Sequence, residues 1–415
     1  MRLQIRAVRR RREQVHGEVV GASLAQYHGG ALRSRRGLRR LVWTVHRWLG
    51  LASGAVVLVV ALTGALYAFA PEVGALYLRR FAWVSPPAGA RPLAPSALVQ
   101  RAEAAVERAA GSLPAGTRRR LTLSAEPGRS AVYSVAPAGA AGGYEAYVDP
   151  YRGAVLLVRD MRWDPLGVLL RAHRSLLLPP EIGRRVVGVA VLVFVPSLLT
   201  GALLWLPRRP RTLLQRGVLR RRLTVGLRGR VAGVARDLHR VLGGYALAVT
   251  LILALTGLVW SFAWVDRVVY WLATGGQAPR ERGWRSGPPG DAASAPIVTD
   301  EAVATTGRTF PDAARLDVGF PVGPADVLVV CATAEAASSH RRDCLAFDQY
   351  TGRRIGADLH RDRNAGERLR AANHDIHVGR IAGPGGRLAA LLGSLAAASL
   401  PITGALVWWT RRRRP

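Results

Sequence analysis

Nine histidines punctuate this chain, and five of them, His46, His173, His239, His374 and His377, collect at the edges of long apolar segments. Neutral imidazole is the commonest ligand of transition metals. His46 and His239 open two apolar runs, and His173 and His377 precede two others. Imidazoles supplied by neighbouring helices suit bis-axial ligation of haem iron, which takes one nitrogen above the ring and one below. The predicted pairs are His46 with His239 and His173 with His377, giving two haems b, one near each membrane face. His374 is an alternative to His377, because His-x-x-His places both one helical turn apart; alignment of the two halves favours His377. The same spacing permits a metal site, although no zincin glutamate accompanies it. His16, His28, His340 and His360 lie in polar or basic sequence and read as solvated surface groups.

Helix phase adds to the haem reading. His46 and Gly64 are 18 residues apart, as are His239 and Gly257, and 18 residues make five whole turns. On the same face lie Gly50, Ser53 and Val57 in one segment and Gly243, Ala246 and Thr250 in the other. A stripe of small residues leaves room for a flat macrocycle; it also suits close helix packing in a membrane.

The segments that must position these groups are four uncharged runs, Leu49–Ala70, Val186–Leu206, Val241–Val265 and Leu388–Thr410. Each has about 20 residues or more, enough to cross a hydrocarbon core of roughly 30 Å. All 59 cationic side chains are arginine, giving a formal charge of +32, yet 49% of the chain is apolar and the mean hydropathy is +0.12. That balance excludes a disordered basic tail and an ordinary cytosolic enzyme. Nucleic acid is not an expected partner, since no basic stretch is interleaved with aromatics or carries a binding motif. Segments 1–48, 207–240 and 411–415 hold 27 arginines against three acids, whereas the loops 71–185 and 266–387 hold 32 against 24. Short basic segments stay in the cytoplasm, so both termini are expected inside, both long loops outside, and lipid as a partner of the arginines. The first run reads as an uncleaved anchor, because Pro71 follows the small-residue site Ala68-Phe69-Ala70.

The chain carries one unit twice. His46-Arg47-Trp48-Leu49-Gly50 parallels His239-Arg240-Val241-Leu242-Gly243, and Thr-Gly pairs stand at 63–64, 200–201, 256–257 and 403–404. His173 precedes its Thr-Gly pair by 27 residues and His377 by 26. The loops match as well, at Asp149-Pro150-Tyr151-Arg152-Gly153 and Asp348-Gln349-Tyr350-Thr351-Gly352, each a hairpin whose glycine takes positive φ. Strand-like alternation at 131–135 and 326–330 and helix-like stretches at 96–110 and 297–306 predict a small α+β domain in each loop. The fold class is therefore a membrane protein with four transmembrane helices in a two-unit tandem repeat and two extracytoplasmic α+β domains. The expected divisions are an arm of disordered basic sequence (1–40), span one (41–70), loop domain one (71–164), a His-bearing segment with span two (165–207), a basic loop (208–236), span three (237–265), loop domain two (266–366), a His-bearing segment with span four (367–410) and a tail (411–415). Cys331 and Cys344, the two cysteines, flank a polar stretch between strands and predict a disulfide in an oxidising compartment.

In these motifs the chain resembles the PepSY-associated transmembrane helix proteins. The features that carry the resemblance are the two His-Arg-x-Leu-Gly openings at His46 and His239, Leu169-x-x-x-His173-Arg174-Ser175-Leu176, His377-x-Gly379-Arg380 and the four Thr-Gly pairs, in this order from about 40 to 412. Pro179-Pro180 departs from the glycine-containing turn of related sequences. The resemblance implies a bacterial inner-membrane protein with PepSY-like loop domains and a haem-dependent oxidoreductase activity similar to ferrisiderophore reductases. Electrons would run from the cytoplasmic haem to the outer one and on to a ferric chelate. The donor must be separate, a flavin reductase or quinol, since the chain has no dinucleotide fingerprint and no iron–sulfur cysteine pattern. Arg174 and Arg380, with Arg171 and Arg184 close by, are expected to hold haem propionates or attract an anionic chelate. The competing reading is a non-redox membrane-anchored binding or sensory protein acting through its loop domains. A transporter is disfavoured, because no Asp or Glu lies inside any apolar run.

Overall fold

The computed structural model describes residues 37–138, 142–207, 210–226, 230–280, 282–288, 295–335 and 340–412. The basic arm expected over 1–40 lies outside the described residues up to position 36, as do His16 and His28; residues 37–40 already belong to the first helix.

The first half runs from the apolar helix α1 (Gly37–Tyr67) through α2 (Ala70–Tyr77), α3 (Arg79–Ala82) and α4 (Pro95–Ala110) to four strands. These are β1 (Arg118–Ser124), β2 (Ala131–Ala136), β3 (Tyr144–Val148) and β4 (Val155–Asp160), followed by α5 (Pro165–Ser175) and the apolar α6 (Pro180–Trp205). A connecting helix, α7 (Arg216–Leu223), leads to α8 (Val231–Ser261), α9 (Ala263–Ala273) and α10 (Ala295–Thr309). Then come β5 (Arg315–Gly319), β6 (Val327–Thr333), β7 (Arg342–Asp348), β8 (Arg354–Asp358), α11 (Ala365–His377) and α12 (Gly383–Arg412).

Helices α1, α6, α8 and α12 are long and apolar enough to cross a membrane, as the four uncharged runs predict. The third ends earlier than expected. Phe262 adopts extended backbone angles and breaks the helix, so the apolar residues around Val265 belong to the separate helix α9. Hydropathy continues across that break and does not register the change of chain direction.

The two loop regions do not form separate domains. They build one eight-stranded antiparallel sheet in the order β4-β3-β2-β1-β5-β6-β7-β8, joined at the centre where Leu121 of β1 faces Val318 of β5. Each four-stranded half would leave an edge of unpaired backbone groups, and the two edges satisfy each other. Both loops therefore sit on one side of the helical layer. Helices α4 and α10 cover one face of the sheet, burying Leu98, Val106, Val298 and Ala302 against Leu121, Tyr133, Val330 and Phe347. Ser96 of α4 bonds both carboxylate oxygens of Asp300 on α10, at 2.8 and 2.6 Å. The hairpin glycines take the expected positive φ, +68° at Gly153 and +71° at Gly352. Cys331 and Cys344 face each other across β6 and β7 and form the expected disulfide.

Two capped helices bring His173 and His377 to the bundle. Asp164 accepts the backbone N–H groups of Leu166 and Gly167 at the start of α5, and Asn364 forms a capping box with Glu367 at the start of α11. After His173 the chain reverses through Leu176 and Leu177, both at positive φ (55° and 61°), before Pro180 starts α6. Two non-glycine residues in the left-handed region do here what a glycine turn would do with less strain.

Candidate functional site

The histidines meet in two pairs. His46 of α1 and His239 of α8 have ring centroids 6.1 Å apart, and His173 of α5 and His377 of α11 are likewise 6.1 Å apart. Each ring is seated against a Thr-Gly pair on another helix. His46 lies over Gly201, His239 over Gly404, His173 over Gly64 and His377 over Gly257; a Cβ built on these glycines would stand 3.1, 3.4, 2.9 and 3.6 Å from the respective Cε1. The missing side chain also uncovers the helix carbonyl four residues earlier. His46 Nδ1 donates to Ser197 O at 3.0 Å, His173 Nδ1 to Val60 O at 2.9 Å and His239 Nδ1 to Leu400 O at 3.2 Å. His377 bonds the corresponding carbonyl of Leu253. The threonines add a second acceptor, nearest for Thr256 to His377 at 2.8 Å and Thr403 to His239 at 3.0 Å. Each threonine hydroxyl donates to its own helix, as Thr256 does to Ile252 O, so its oxygen receives the imidazole proton.

Only a protonated nitrogen bonds a carbonyl. Nδ1 therefore carries the hydrogen in all four rings, and Nε2 keeps its lone pair. Burial pushes the His173 imidazole below its usual range, with Arg174 adding to the effect. His377 falls to about 3, through burial first and then the neighbouring His173 and His374. Both remain neutral near pH 7, as metal ligation requires.

Each pair lines a cavity, of about 510 Å³ for His46 and His239 and about 490 Å³ for His173 and His377. Both volumes lie within the usual range of ligand and cofactor sites. Gly50 and Gly243 line the first cavity. Gly64 and Gly257 do not continue the floor beneath their own helix's histidine as the stripe suggests. Eighteen residues along the helix is about 27 Å, so they reach the opposite end and seat His173 and His377. Phe194 of α6 is the one described residue that lines both cavities, packed with Val57, Leu198 and Ala254.

Of the arginines expected at the second pair, Arg174 and Arg184 line its cavity. Arg171 instead donates to Arg162 O. Arg380 is turned toward Asp375, 3.9 Å away, and is not among the cavity residues, because a buried carboxylate on the neighbouring turn attracts it. His374 borders the cavity but is half exposed and has no Thr-Gly seat, whereas His377 faces His173. Among the described residues no cluster of three or more His, Cys, Asp or Glu is gathered for a metal ion, so His374 and His377 find no third ligand of that kind.

Three features escape a reading of composition and periodicity. Gly201 and Gly404, with the four threonines, are seats rather than packing; recurrence of the Thr-Gly pair in all four apolar helices was the available signal. Arg47 and Arg240 line the first cavity directly beside its histidines. His340 is not a solvated group: its Nδ1 lies 2.7 Å from Oδ2 of Asp375, a carboxylate only 1% exposed. The family model of the PepSY-associated TM region matches residues 43–411. No curated protein matches the chain.

Proposed function

The chain belongs to the PepSY-associated TM family, and from that premise we propose that it carries electrons across a membrane through two haems b, one in each cavity. The observation that carries this reading is the pair of facing imidazoles repeated at both ends of the bundle, each with Nδ1 tied back and Nε2 left as donor. An imidazole nitrogen sits about 2 Å from a bound metal, and the ring centroid lies roughly 1 Å further back. Two imidazoles on opposite sides of one metal thus have centroids about 6 Å apart, against 6.1 Å in both pairs. The largely apolar cavities supply the space that a flat macrocycle needs.

His46 and His239 would hold one haem and His173 and His377 the other. Held between these two pairs of imidazoles, haem would supply one-electron transfer rather than oxygen chemistry. The carbonyl and threonine bonds at Nδ1 fix each ring's orientation and raise its basicity as a ligand. Phe194 lines both cavities and packs with Val57, Leu198 and Ala254, so an apolar cluster lies between them. Arg174 and Arg184 place positive charge at the second cavity, where propionates would be accommodated.

The arginine distribution supports cytoplasmic termini, with the sheet outside a bacterial inner membrane. The first pair is then the entry point for electrons from a flavin reductase or quinol. The second pair, beneath the sheet, is the exit toward a ferric chelate such as a ferric siderophore. Delivery is tested in proteoliposomes of defined orientation: chemically reduced protein should be reoxidised by an external ferric chelate, and His173→Ala should block this while the inner haem stays reducible. Reoxidation at the normal rate in the variant would overturn the route.

A further inference from the structure

In the first pair each histidine is followed in sequence by arginine, as His46-Arg47 and His239-Arg240. Both arginines line the first cavity, one from α1 and one from α8. Arg47 is held by stacking over Trp43 and Trp48, 4.7 and 5.1 Å from the ring centroids. Arg240 is held by Asp237, 3.0 Å from its terminal nitrogen. In both, the Nε atom is buried and meets no hydrogen-bond acceptor, and Trp205 Nε1, on the same cavity wall, is a third such donor. Buried donors are almost always satisfied, and one that belongs to a charged group is costly to leave without an acceptor. Among the described residues none of the lining side chains of the second cavity has an atom of this kind. Of the two cavities, the unmet demand for acceptors thus falls on the first, on Trp205 and on two arginines from equivalent places in the two halves.

We infer that the ligand of the first cavity carries two carboxylates, and that Arg47 and Arg240 grip one each through their inward guanidinium edges. This rests on the haem reading, since haem b bears two propionates, and extends it by assigning the residues that orient the inner group. Arg47 and Arg240 would hold its acid groups toward the end of the bundle where α1 begins and α12 stops, with Phe194 on the apolar side of the cavity. A guanidinium fork matches a carboxylate in two parallel bonds, which lysine cannot reproduce. The arginines are positioning residues, distinct from the ligating imidazoles.

The test strips the full chain of haem and titrates it with haem or with haem dimethyl ester, whose acid groups are blocked, following the Soret band and the midpoint potential of each site. In the unaltered protein, esterification should weaken the site that His46→Ala removes by at least roughly tenfold, the scale of a lost charge-assisted hydrogen bond. In the double variant Arg47→Gln/Arg240→Gln that site should bind haem and ester alike, while the other site is unchanged. Arg47→Lys/Arg240→Lys, which keeps the charge and loses the fork, should fall between and controls for folding. Discrimination at that site that persists fully in the glutamine variant, or is absent from it in the unaltered protein, would overturn the grip while leaving haem binding intact. Absence of any Soret band in the unaltered protein would instead overturn the haem reading, and the grip with it.

Discussion

The imidazole of His173 lies against Gly64 so closely that a Cβ there would stand 2.9 Å from Cε1 and 3.2 Å from Nδ1. At the equivalent contact, Gly257 with His377, the same atom would stand at 3.6 Å, an ordinary van der Waals distance. The two glycines are equivalent in sequence and unequal in tolerance. Gly64→Ala should displace the His173 ring and cost about 1–3 kcal/mol of local stability, the usual scale of overpacking. Gly257→Ala should be nearly neutral. Thermal unfolding and the visible spectrum of the purified variants check this; equal effects would mean that the rings do not sit as described.

Thr256→Val removes the 2.8 Å contact to His377 Nδ1, whereas Thr63→Val removes only a 3.5 Å contact to His173. The first substitution should cost about 1 kcal/mol and lower the basicity of the ligand, moving the midpoint potential of the outer site. The second should shift that potential less. Spectroelectrochemical titration compares them, and a larger shift for Thr63→Val would contradict the assignment.

The disulfide closes the β6–β7 hairpin, which also leads to His340. Cys331→Ser with Cys344→Ser should destabilise the sheet by about 3 kcal/mol in the chain-entropy account of a loop of this size. Thiol labelling of denatured, unreduced protein should find no free thiol in the parent chain. Two labelled cysteines would remove the bond from the account.

Asp375 of α11 accepts from His340, in the segment joining β6 to β7, at 2.7 Å while 1% exposed. Asp375→Ala leaves His340 without its acceptor and should cost about 1.5–3 kcal/mol, the scale of a lost hydrogen bond to a charged group. Hydrogen exchange should accelerate across α11 before it accelerates across α8. Unchanged protection of α11 would show that the contact does not hold the helix.

Much of this architecture was legible in the residues themselves. Charge-free length marked the four spans, the doubled His-Arg and Thr-Gly motifs marked both histidine pairs, and Asp149 and Asp348 marked the hairpins. Three aspects were not. Pairing of β1 with β5 is a contact between regions some 200 residues apart, and alternation within a strand does not reveal its partner. The turn at Phe262 is invisible to hydropathy because apolar residues continue on both sides. Helix phase places Gly64 on the face of His46, but phase says nothing of what crosses from another helix, and His173 does. Arg380 stands outside the cavity lining for a similar reason: nearness in sequence to His377 could not weigh the pull of Asp375.

The most direct test is a haem count on the purified chain beside His46→Ala and His173→Ala. The account predicts about two low-spin haems per chain and about one in each variant, with the Soret band of the remaining site unchanged. A chain that binds no haem, or variants that lose both haems together, would contradict it.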